Sequence, residues 1–154
     1  MILIIMNVDP IAVLFRWMHV LAAVIAVGGA VYSRVAFLPA LTQGMEEAQR
    51  KKIRDLASRR WSKVLYACIA LLLVSGFYNF FTISLDKAER APAYHALFGI
   101  KFLAALGVFF LGSALVGRSE ALAPIRARSA RWLTVTVVLA VVVILISGVL
   151  RSLG

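Results

Sequence analysis

The sequence predicts an all-α fold, an integral membrane four-helix bundle made of two tandem transmembrane hairpins. Three observations carry that expectation. Of the 154 residues 62% are apolar and only 16% charged, too little polar surface for a soluble domain of this size. The apolar residues form four blocks, at 11–38, 61–85, 94–117 and 132–150, each meeting the roughly 20 residues an α-helix needs to cross about 30 Å of hydrocarbon. The 17 Lys and Arg against seven Asp and Glu give +10, and these bases lie between the apolar blocks. That spacing points to a bilayer partner and away from nucleic acid.

Each element follows in turn. The opening MILIIMNVDP lacks the positive n-region and the small-residue cleavage site of a secretory signal, so the first apolar block is expected to stay in the chain. Span one, at 11–38, is longer than a crossing requires and should tilt or protrude. Residues 46–60 run from acidic to basic, with Ala48, Ile53, Leu56 and Ala57 at approximate helical spacing, which predicts a short helix leading into span two. This helix reads either as a solvated face that sets topology or as a docking surface for anionic lipid or a partner. Cys68 is the single cysteine, so no disulfide framework or CxxC motif is expected. A single transmembrane domain accounts for the chain.

Charge sets the expected orientation. The one-to-two and three-to-four connections together with Arg34 hold 12 bases against four acids, net +8, whereas the opposite side holds four bases against three acids, net +1. The positive-inside rule places the basic side in the cytoplasm of a bacterial-type inner membrane and both termini outside, in the periplasm. Spans two and four resemble each other: Arg60-Trp61 and Arg131-Trp132 open them, offset by 71 residues, and Ser75-Gly76 and Ser147-Gly148 recur at an offset of 72. Two crossings return the chain to its starting side, so this predicts a repeat of hairpins in one orientation.

The polar residues inside the spans converge on one level. At about 1.5 Å of rise per residue, His19 lies about 22 Å from Arg34, Ser75 about 22 Å from Arg60, Lys101 about 25 Å from Arg118 and Ser147 about 24 Å from Arg131. Arg16, Asn79 and Arg151 follow about one turn further out, and His95 lies beyond them near headgroup depth. His19, Ala23, Ala26, Ala30 and Ser33 form one stripe of span one; Cys68, Leu72, Ser75 and Asn79 align on span two; Lys101, Ala105, Val108 and Gly112 on span three; and Thr136, Ala140, Val143, Ser147 and Arg151 on span four. These faces predict an outer-leaflet pocket lined by His19, Asn79, Lys101 and Arg151. Polar groups at such depth commonly mark a site. Plainer roles stand beside that reading: snorkelling for Lys101 and Arg16, an interfacial anchor for Arg151, a helix start for His95, interhelical hydrogen bonds for Asn79 and Ser75, and a bonded core histidine for His19.

The stretches FRWMHVLAAVIAVGG, RRWSKVLYACIALLLVSGFYN and YHALFGIKFLAALGVFF, taken with the basic loop, resemble the membrane domain of copper resistance protein D (CopD) and the related HemJ-type protoporphyrinogen oxidases. That resemblance spans nearly the whole chain and implies two chemistries. The HemJ-like one implies b-type haem and porphyrinogen oxidation, with a ligand at His19 and a propionate or substrate partner at Lys101. The CopD-like one implies copper handling by His19, Met18 and His95, although only four Met are present, without a Met- or His-rich tract.

A haem reading makes His19 the principal axial ligand and His95, some 10 Å further out by rise, the second only if tilt closes the gap. Arg16, Lys101 and Arg151 would then neutralise propionates, and quinone or a periplasmic redox partner would exchange electrons. The reading is thus a membrane oxidoreductase or other haem protein, with a copper-handling protein and a cofactor-free scaffold or assembly subunit as alternatives. A homodimer would add burial that four short spans lack. No acidic residue lies in the apolar cores of the spans, and no Ser/His/Asp triad, phosphate loop or paired carboxylates at catalytic spacing are present.

Overall fold

The computed structural model describes residues 9–84 and 92–152, so most of the loop expected between spans two and three falls outside the described residues. Among the described residues six α-helices follow one another: α1 (Pro10–Tyr32), α2 (Leu38–Thr42), α3 (Glu47–Asn79), α4 (Pro92–Val116), α5 (Ala123–Ala127) and α6 (Ser129–Ser152). A π-helical turn at Ser33–Phe37 joins α1 to α2, another at Phe80–Ser84 extends α3, and a 3-10 turn at Glu120–Leu122 leads into α5. Four of the helical stretches are long and apolar enough to cross a membrane, and the protein is an all-α, multi-pass membrane protein.

Local chemistry explains the boundaries. Asp9 caps α1 by accepting a hydrogen bond from the Ile11 amide at 2.9 Å, with Pro10 in the first turn, where its missing N–H costs nothing. The π-helical turn carries span one onward without a break, so the stretch Pro10–Thr42 runs for 33 residues, in line with its excess length. Gly44 then turns the chain at φ +76°, a left-handed conformation that glycine adopts without a side-chain penalty. The helix expected at 46–60 and span two prove to be one helix, α3, of 33 residues. Its start carries Glu47 in the first turn, favourable against the helix dipole, and no Pro or Gly interrupts it before Gly76.

The helices pair as two hairpins. Packing is tightest between α1 and α3 and between α4 and α6, and looser across the α3–α4 and α1–α6 seams. Small residues occupy the close contacts, with Ala22, Ala114 and Ala140 buried, whereas Trp17 and Leu103, each 69% exposed, turn outward with Phe81 and Leu145. Within the first hairpin the Trp61 ring rests directly on Gly29, and any side chain at that glycine would run into it. Three hydrogen bonds tie the hairpins together at the basic end. Arg34 Nε donates to Thr134 Oγ1 at 2.8 Å, Arg54 donates to the Arg126 carbonyl at 2.9 Å, and Ser58 donates to the Val116 carbonyl at 3.1 Å.

Candidate functional site

Because the seams between hairpins pack loosely, the bundle is hollow. A cavity of about 1400 Å³ runs between the hairpins, from Arg54 and Ser58 at the basic end to Arg16 and Arg151 at the other. It exceeds the roughly 300–1,000 Å³ usual for a ligand pocket. The small-residue stripes supply its walls: His19, Ala23, Ala26, Ala30 and Ser33 from α1, Lys101, Ala105, Val108 and Gly112 from α4, and Thr136, Ala140, Val143, Ser147 and Arg151 from α6. From α3 come Leu72 and Asn79, while Cys68 and Ser75 of the same face are buried in the helix contacts.

His19 is held from behind. Its Nδ1 lies 2.8 Å from Ser75 Oγ, and that oxygen lies 2.5 Å from the Leu71 carbonyl one turn earlier. A serine hydroxyl has one proton to give. At these distances the Leu71 carbonyl takes it, so Ser75 Oγ is an acceptor toward the ring and His19 Nδ1 carries the proton. The lone pair therefore sits on Nε2. This is the arrangement in which an imidazole serves as a ligand, its other nitrogen fixed by an outer hydrogen bond. Ser147, at the repeat-equivalent position, also bonds back to its own helix, through the Val143 carbonyl at 2.6 Å, but holds no histidine.

The surroundings are cationic and aromatic. Arg16, Arg54, Lys101 and Arg151 line the cavity and, among the described residues, no Asp or Glu does. Around its outer half Phe80 stacks on Phe98 with centroids 4.7 Å apart, Tyr94 stacks near Phe98 at 6.4 Å, and Phe77 meets Phe102 edge-on at 6.5 Å. Phe15 and Tyr78 stack at 4.0 Å and close the outer end of the first hairpin. Such a chamber can take a flat, largely apolar ligand bearing negative charge, and it offers one nitrogen lone pair to a metal within that ligand.

Five of the six residues singled out from sequence line this one cavity: Arg16, His19, Asn79, Lys101 and Arg151. His95 does not. It is exposed, and its neighbour Tyr94, rotated by about 100° on the same helix, is the buried residue that lines the cavity instead. Met18 is likewise absent from the lining, so His19, Met18 and His95 do not share a chamber, and among the described residues no group of three or more His, Cys, Asp or Glu could hold a metal ion. The aromatic wall is the feature that sequence reasoning missed, although Phe77, Phe80, Phe98 and Phe102 recur near one level of two adjacent spans. No family model matches the chain, and no curated protein or solved structure matches it either.

Proposed function

We propose that this protein is a small membrane haem protein in which His19 ligates a b-type haem for redox or porphyrin-linked chemistry, as its resemblance to the HemJ-like group implies. One observation carries the reading: the His19 ring, its Nδ1 anchored by Ser75, lines a chamber walled, among the described residues, by aromatic rings and cations and by no carboxylate. When bound, haem supplies one-electron transfer or oxidation of a porphyrin-like substrate. The protein's own contribution is positional. Ser75 positions the His19 ring, Arg16, Lys101 and Arg151 offer charge-assisted hydrogen bonds to carboxylates, and the phenyl rings supply apolar faces for a flat ligand.

The net +8 on the side of Arg34, Arg60 and Arg118 supports a cytoplasmic placement of that end in a bacterial-type inner membrane, with both termini periplasmic. The site then lies in the outer leaflet, in reach of quinone or a periplasmic redox partner. The test is an absorption spectrum after expression with added haem and purification in mild detergent. The expected result is a Soret band that His19→Ala abolishes and His95→Ala leaves unchanged. A colourless protein, or a band indifferent to His19→Ala, would overturn the proposal.

A further inference from the structure

A second, smaller pocket of about 500 Å³ lies at the basic end, on the outside of the bundle between α3 and the chain leaving α4. Arg59, Arg60 and Lys63 line it from α3, Arg118 from the other hairpin, and Tyr66 and Val116 stand in its walls, with no Asp or Glu among the described lining residues. Arg59 and Lys63 are four residues apart on one helix face, and like charges at that spacing repel. Arg118 is brought to the same place by the hydrogen bond from Ser58 to the Val116 carbonyl, which fastens the end of α4 beside the residue preceding Arg59. Four cations are thus concentrated where no described lining residue neutralises them.

The level of the pocket identifies the anion that does. Arg60 stands at the border of the apolar part of α3, and Tyr66, 47% exposed, lies about 9 Å further along the helix, toward the hydrocarbon. A ligand here meets cations at headgroup depth and an apolar wall below. We infer that the pocket binds the phosphate headgroup of an anionic membrane phospholipid, with the four bases best matched by a lipid carrying two phosphates. Bases at the membrane surface contribute about 1 kcal/mol each toward anionic lipid, or about fivefold in affinity. Val116 stands in the walls of both pockets, but the inference does not rest on what the central cavity binds.

Native mass spectrometry of the full protein in detergent, titrated with diphosphatidylglycerol or phosphatidylcholine, tests the inference. Diphosphatidylglycerol should be retained at least tenfold more tightly than phosphatidylcholine. Arg59→Gln/Arg118→Gln should lose about 25-fold in that affinity, whereas Lys51→Gln/Lys52→Gln, which removes the same charge from the exposed start of α3, should lose less than threefold. Ser58→Ala, which changes no charge, should also weaken retention by releasing Arg118. Equal losses in the two double variants, indifference between the lipids, or displacement of lipid by millimolar inorganic phosphate would overturn it.

Discussion

Replacing Ser75 with alanine deletes the acceptor of the His19 Nδ1–H and leaves the rest of the cavity wall in place. The serine is fully buried and its own proton is committed to the Leu71 carbonyl, so the variant leaves the ring with the Leu72 backbone as its neighbouring hydrogen-bond partner. A buried donor that loses an acceptor costs up to about 1–3 kcal/mol. Loss of the outer partner of a ligating histidine weakens metal affinity about 10- to 100-fold, equivalent to about 1.4–2.8 kcal/mol, so the two scales agree. The gain in helix propensity from Ser to Ala, about 0.5 kcal/mol, does not offset this. Haem titration followed at the Soret band should show that 10- to 100-fold loss. Potentiometry should show a higher midpoint potential, because an imidazole without its acceptor is less basic and stabilises the oxidised iron less. Ser147→Ala removes a hydroxyl that bonds only to its own helix and should alter neither quantity. Parent-like affinity and potential in Ser75→Ala, or equal losses in Ser147→Ala, would refute the assignment of the Nδ1 proton.

Other consequences are directly measurable. Gly29→Ala pushes a methyl group into the Trp61 ring and should destabilise the first hairpin by about 1–3 kcal/mol, seen as a lower thermal midpoint by tryptophan fluorescence; Gly28→Ala, with open space around it, should not. Lys101→Met should weaken binding of a porphyrin with free carboxylates by about tenfold and leave binding of its dimethyl ester unchanged in a parallel titration. For topology, Asp9→Cys should react with a membrane-impermeant maleimide on intact cells and Glu120→Cys only after permeabilisation, with buried Cys68 silent; the reverse pattern would invert the orientation.

The central chamber was largely legible in the sequence because its determinants are periodic. Small residues every three or four positions mark the face of a helix that admits a neighbour, and polar residues on the same stripes then fall inside. Height was equally legible from the rise per residue. Azimuth was not: the rise count put His95 some 10 Å beyond His19 and kept it as a second ligand only if tilt closed the gap, whereas the rotation of α4 turns Tyr94 inward and His95 out. The fusion of the 46–60 helix with span two was hidden for another reason. Arg60 and Trp61 mark where water gives way to lipid, and a helix whose hydrogen bonds are all internal crosses that border without ending. The width of the hollow belongs to the packing of two hairpins and has no local signature.

The fastening of those hairpins differs between the two membrane faces. Hydrogen bonds from Arg34, Arg54 and Ser58 clasp them at one membrane face, while at the opposite face α3 meets α4 through ring contacts and the two cations Arg16 and Arg151 line the chamber beside α1 and α6. Directional polar bonds between the hairpins are thus gathered at the basic end, whereas the outer end brings two like charges, Arg16 and Arg151, to the wall of one chamber, where they repel unless an anion lies between them.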